Sequence, residues 1–233
     1  MVVTPKDAAA VILVRPDTDP SNPEIFWVKR SPKLVFLGGF YAFPGGQAES
    51  TDGEARVENS ANDLERATMI SCATREMFEE TGVLLARGAD KLTVGQRTSL
   101  LDDLESGRMS WPQLLEHYGL HLNADDFTFV GRWVTPPFAP RRFDTWFFLV
   151  HCPAKQEPHV TGDAELASGE WISARRAYEK WERNEVLAPP PVLHSLKILS
   201  GGLTDDLVER FLSVPEAHRQ ITQRMEFRQN YIC

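Results

Sequence analysis

Cysteine is scarce in this chain: Cys72, Cys152 and Cys233 are the three among 233 residues, with no CxxC pair and no accompanying histidine cluster. An odd number so spaced argues against a disulfide framework and a zinc site, and it fits a reducing compartment. Long runs of lysine and arginine are also missing. Acidic residues number 33 against 25 basic, for a formal charge of -8, the wrong balance for a surface that grips nucleic acid or an anionic membrane. No apolar stretch approaches the ~20 residues of a membrane span, and the opening MVVTPKDAAAVILVRP has no basic segment followed by an apolar core and cleavage site. The final YIC is not an SKL-type peroxisomal address. The expected location is therefore the cytoplasm, with a small-molecule partner and the oligomeric state left open. What remains is a hydrophobic content of 42%, enough for one large domain or a compact domain with a helical extension.

Short apolar runs at 8–14 and 25–29, joined by the turn-rich DTDPSNPE, predict a β-hairpin. FLGGFYAFPGG then leads into STDGEARVENSAND, which has no periodic apolar face and is expected to be an exposed loop. Asn62 with Glu65 three residues on resembles a capping box, and Gly82 suits a helix end, so a helix is predicted over 63–81. Two further helical stretches follow at about 94–120, the second opened by Ser110 and Pro112, as an inserted unit. Strands are predicted at 127–134, 143–151 and 170–172, and a helix capped by Ser173 runs to about 184. A rigid break at PPP (189–191) precedes helical segments at 192–200 and 204–212. Irregular alternation of strands and helices favours an α/β sandwich. Residues 1–200 are expected to form the domain and 201–233 a C-terminal helical extension, with a link to a further domain as the alternative.

The segment RExxEExG at 75–82 carries the chemistry. Residues Glu76, Glu79 and Glu80 stand at helical spacings that put three carboxylates on one face. Like charges so placed repel, and Arg75, four positions before Glu79, offsets only part of the conflict. A hard divalent cation removes it, and Mg²⁺ suits an all-oxygen cluster that also faces phosphates. The alternative is an ordinary solvated helix face. Histidines 117, 121, 151, 159, 194 and 218 show no ligand spacing and are assigned no chemistry.

Arg75-Glu76-Met77-Phe78-Glu79-Glu80-Thr81-Gly82-Val83 resembles the core of the Nudix box, and FPGG at 43–46 resembles its glycine start. Gly46 and Arg75 stand 29 positions apart, where the box leaves about 14. The box's early glutamate falls at Ala67, with Glu65, Glu58 and Glu54 as candidate replacements. A similar expansion occurs in the branch of the peroxisomal coenzyme A diphosphatases. Arg30-Ser31 with Phe36, Gly39 and FPGG, then ISCATREMFEETGVLL, TPPFAPRRFDTWFFL, and the segment from Glu165 to Trp171 followed by LAPPP, are similar to that branch in the same order.

The resemblance implies a Nudix α/β/α sandwich with a mixed sheet, and Mg²⁺-dependent (or Mn²⁺-dependent) hydrolysis of a diphosphate in coenzyme A or acyl-coenzyme A. ADP-ribose or a dinucleotide is the next candidate substrate, and a nucleotide-sensing module without catalysis is the competing class. It implies that Glu76, Glu79 and Glu80, with a backbone carbonyl of Gly45 or Gly46, hold the metal. Glu165 is the candidate general base, in a loop expected to be mobile between Gly162 and Gly169; the alternative is a solvated loop acid. Arg141 and Arg142 follow a proline-rich bend and are candidates to grip phosphate, as is Arg30 at a strand end; surface or structural roles are the alternatives. Asp144 is either a site residue or a turn acid that holds an arginine.

Overall fold

Strand β1 (Lys6–Val14) is the axis of the fold. Its side chains alternate, sending Ala9, Val11 and Leu13 into one apolar layer and Ala10, Ile12 and Val14 into the other, as a strand covered on both faces must. The computed structural model describes residues 3–160 and 164–213. Parallel to β1 over its full length lies β8 (Phe143–His151), which is flanked in turn by antiparallel β7 (Thr128–Val134). On the other side β1 pairs with β2 (Glu24–Arg30) only at Leu13–Phe26 and Val14–Ile25. The two strands then part. Beside Ala8, Ala9 and Ala10 the place is taken by β4 (Gly45–Gln47), while β2 continues between β3 (Tyr41–Ala42) and β9 (Leu166–Ser173). The split brings the glycine pair to the centre of the sheet.

One face of this mixed sheet carries α1 (Leu64–Thr81), α2 (Val94–Glu105) and α3 (Trp111–His117). The other carries α4 (Ala174–Glu182), α5 (Pro190–Leu199) and α6 (Leu207–Leu212). The α/β sandwich expected from the sequence is present. The predicted insertion docks through the Trp111 indole, which donates to the Ser71 hydroxyl on α1 at 3.1 Å. No described helix is long and apolar enough to cross a membrane.

Several local expectations need correction. STDGEARVENSAND is not simply an exposed loop: Ser50–Glu54 forms a 3-10 turn, Asp52, Ala55 and Val57 are buried, and β5 (Val57–Glu58) pairs with β6 (Leu122–Asn123). The cap of α1 is Asp63, whose carboxylate accepts from the Arg66 amide at 2.9 Å. Asn62 has φ of 61°, outside the extended region an N-cap requires. PPP does not break the chain, because Pro190 and Pro191 form the first turn of α5, where a missing amide hydrogen costs nothing. The 170–172 strand extends over Leu166–Ser173, so Gly169 lies inside β9, where a β-carbon would stand 2.5 Å from the Phe26 ring; Gly162 is outside the described residues. Of the expected 201–233 extension, Phe211 is buried against the second apolar layer, and residues 214–233 lie outside the description, as do Cys233 and His218.

Candidate active site

Helix α1 is positioned at both ends. Its first turn is capped by Asp63, and its last closes on Gly82, which adopts φ of 70° and donates to the Phe78 carbonyl at 2.8 Å, a conformation that favours glycine. Met69, Ile70, Cys72, Ala73, Met77 and Phe78 bury one side against the sheet. This packing turns Arg75, Glu76, Glu79 and Glu80 toward β4 and the 3-10 turn.

Arg75 is only 3% exposed, and every N–H of its guanidinium is matched by an acceptor. Nε and Nη2 donate to the two oxygens of Asp52 at 3.0 and 2.9 Å, and Nη2 also reaches the Gln47 carbonyl at 3.0 Å. Nη1 donates to Glu76 Oε1 at 3.0 Å and Glu79 Oε2 at 2.8 Å. Five donors therefore meet five acceptors. Burial alone would lower the affinity of Arg75 for its proton, but the hydrogen bond to Asp52 and the charges of Glu76, Asp52 and Glu79 raise it.

Burial raises the proton affinity of all three carboxyls. Burial pushes the Glu76 carboxyl up to about 7, with Arg75 opposing and Glu79 adding to the rise. Glu79 is raised by burial, against the pull of Arg75. The Glu80 carboxyl lies well above the ordinary range because of burial and the Glu76 charge, opposed by the Gly45 amide, which donates to Glu80 Oε2 at 2.9 Å, and by the charge of Arg30. The same carboxyl feels Glu165, whose main-chain carbonyl accepts from the Ser31 amide at 2.8 Å. Arg30 and Glu165 are thus gathered at the end of β2 near the carboxylates.

The glycine pair has two jobs. At Gly45, with φ of 150°, a β-carbon would lie 2.2 Å from the Ala9 carbonyl, so only glycine lets β4 approach β1 this closely. At Gly46 a β-carbon would fall 2.5 Å from the Glu76 carboxyl carbon. That vacancy admits the carboxylate. Closely packed oxygen donors whose proton affinities are raised by burial and mutual repulsion match a hard divalent cation, which would reverse both effects. Among the described residues no three His, Cys, Asp or Glu side chains stand in a ready ligating arrangement; Arg75 engages Glu76 and Glu79, and the Gly45 amide engages Glu80.

The remaining candidates are more dispersed. Arg142 donates from Nε to the Thr135 carbonyl at 2.9 Å and from Nη1 to the Val3 carbonyl at 2.6 Å, which makes it a brace of the bend before β8. Arg141 is exposed beside it. Asp144 is a holder of arginine, but of Arg132, gripped through both oxygens at 2.7 and 2.9 Å. None of the proposed replacements for the early box glutamate meets Arg75 in an ion pair: Glu65 pairs with Arg132 at 3.0 Å, Glu58 lies 3.9 Å from His121, and Glu54 is exposed. The partner is Asp52, which sequence reasoning missed because nothing in STDGE distinguishes it from a loop acid. A surface hollow of about 480 Å³, lined by Arg15, Trp171, Arg176 and Lys180 among others, lies at the opposite end of β2 and β9 from Arg30.

Comparison with known proteins agrees with this architecture. Residues 62–199 match the model of the NUDT19 Nudix domain. Beginning at residue 62, that match leaves Arg30, Gly45, Gly46 and Asp52 outside it. The chain is 25% identical to an acyl-coenzyme A diphosphatase NUDT19 of Xenopus laevis, over 88% of this chain and 64% of that protein. It is 26% identical to the human protein of the same name, over 83% and 68% respectively. It therefore spans about two thirds of the length of these curated relatives. Among solved structures, a NUDIX hydrolase from Alicyclobacillus acidocaldarius superposes with a TM-score of 0.71 at 29% identity, covering 88% of this chain and 95% of that one. With the family model matched over more than half its length, the chain belongs to the Nudix hydrolase superfamily, in the branch of the NUDT19 Nudix domain.

Proposed function

We propose that this protein hydrolyses the diphosphate of coenzyme A or an acyl-coenzyme A with a divalent cation, Mg²⁺ or Mn²⁺, held by Glu76, Glu79, Glu80 and a backbone carbonyl of Gly45 or Gly46. The observation that carries the reading is the half-buried carboxylate cluster beside the glycine pair, with Glu76 and Glu79 held by Arg75 and Glu80 by the Gly45 amide. The names of the relatives support the substrate class. When bound, the cation neutralises phosphoryl oxygens. Arg30 and Arg141 are the candidate grips for the remaining phosphate charge; Arg142 joins them only by giving up a carbonyl contact. Val35, 95% exposed beside Phe36 in sequence, and Phe138, 88% exposed in the bend before β8, offer apolar surface for the pantetheine arm; the Phe36 ring packs 5.9 Å from that of Phe143 at the start of β8.

In the proposed reaction Glu165 takes a proton from water, the water oxygen bonds to one phosphorus, and the bridging oxygen leaves on the other phosphate. The products are 3',5'-ADP and 4'-phosphopantetheine, acylated where the substrate is. Mass analysis of products from a panel of diphosphates tests this. We expect those two masses from coenzyme A; a catalytic efficiency for ADP-ribose at least a hundredfold higher would reassign the substrate while leaving the family membership intact. A sensing module is the weaker reading, since Glu76, Glu79 and Glu80 are all retained.

The base has its own test. Glu165→Gln is expected to lower kcat about 10²-fold to 10⁴-fold with little change in KM, and to remove the acidic limb of the pH profile. Glu170→Gln should do far less to the rate, because Glu170 on β9 accepts from the Trp27 indole at 3.2 Å. Equal losses in the two variants would remove Glu165 from the mechanism.

A further inference from the structure

We infer that Asp52 is a positioning residue for the cation site, taking the charge of Arg75 upon itself so that Glu76 and Glu79 stay available to a metal. The inference rests on the proposed cation site. Asp52 is fully buried, and its two oxygens take the fork formed by Nε and Nη2 of Arg75. The remaining nitrogen, Nη1, is shared between two glutamates. This division matters because the guanidinium and a bound cation compete for the same carboxylate oxygens. With all groups ionised, Arg75, Asp52, Glu76, Glu79 and Glu80 together carry three negative charges. Deprived of Asp52 they would carry two, and the freed fork of Arg75 would turn to the nearest anions, which are Glu76 and Glu79.

The carboxylate is held for this role by local structure. The backbone amide of Glu49 donates to Asp52 Oδ2 at 2.8 Å, and the Asp52 amide donates to the Glu49 carbonyl at 3.1 Å. Behind the turn, Ala55 and Val57 are buried in the first apolar layer, and β5 is tied to β6. Asn59 adds a bond of 2.6 Å to Asp125. Both Glu76 and Glu79 feel the Asp52 charge. The expanded loop thereby brings to Arg75 a carboxylate that position 67, an alanine on α1, does not supply.

Direct Mn²⁺ binding, followed by the paramagnetic resonance of the free ion, separates the alternatives without reference to turnover. Asp52→Asn keeps the size of the side chain and leaves Arg75 compensated by two glutamates, so the protein is expected to fold and to bind Mn²⁺ about tenfold more weakly, or worse. In the double variant Asp52→Asn/Arg75→Met the competing cation is gone, and affinity should return to within about threefold of the wild type. A purely structural role predicts the reverse, with the double variant weaker than the single. Wild-type affinity in Asp52→Asn, or further loss in the double variant, would overturn the inference. Failure of the wild type to bind Mn²⁺ would overturn the cation-site reading beneath it, a different result from either.

Discussion

Glu80→Gln is expected to give a folded protein that turns over substrate about a thousandfold more slowly at saturating Mg²⁺, a loss of ~4 kcal/mol in transition-state stabilisation. The fold should survive because glutamine has the same shape and keeps an oxygen to accept the Gly45 amide hydrogen. It also removes a carboxyl that burial makes costly to ionise, so the metal-free variant should melt no lower than the wild type. The two measurements belong together. Mn²⁺ should raise the melting temperature of the wild type through preferential binding to the folded state, and raise that of the variant much less. A variant that keeps the full rate at saturating metal would remove Glu80 from the site.

Arg75→Met should act on stability before it acts on rate. It leaves Asp52 without a counter-charge at 0% exposure and withdraws five hydrogen bonds from buried or half-buried acceptors. Removing one partner of a buried ion pair costs about 3–5 kcal/mol, which for a domain of this size lowers the melting temperature by roughly 6–20 °C. Chemical denaturation would read the change as a shift in midpoint. Adding Asp52→Asn should recover most of it, because the uncompensated charge is then gone. A melting temperature within 2 °C of the wild type for Arg75→Met alone would show that the pair contributes little to folding.

The parts of this molecule written in short-range periodicity were readable from sequence. Short apolar runs marked β1 and β8 as strands, and i, i+3, i+4 spacing set Glu76, Glu79 and Glu80 on one face of α1. Tertiary approaches were not readable. Asp52 reaches Arg75 because β5, a two-residue strand, finds β6 across the insertion, and no local pattern announces so short a pairing. The cap of α1 moved by one residue because Asn62 and Asp63 are both good caps, and only the left-handed backbone at Asn62 decides between them. Gly169 misled for a similar reason: in sequence it reads as a flexible point, whereas in the fold it makes room for Phe26. Nor does any local pattern announce that the guanidinium of Arg142 donates to the carbonyls of Thr135 and Val3.

The segment between β5 and α1 has a consequence for how far apart the two halves of the site can lie along the chain. It is pinned at one side by the β5–β6 pair and at the other by the Asp63 cap, while Ala61 and Asn62 between them are exposed and left-handed. Closing a longer loop between fixed anchors costs entropy only as the logarithm of its length, about 0.6 kcal/mol for each doubling. Residues added at that tip would therefore change the count from Gly46 to Arg75 at almost no thermodynamic expense, leaving Asp52 and the glutamates where they are. Such near-neutral lengthening explains how a chain can depart from the fixed interval of the Nudix box and still close the same three-dimensional arrangement.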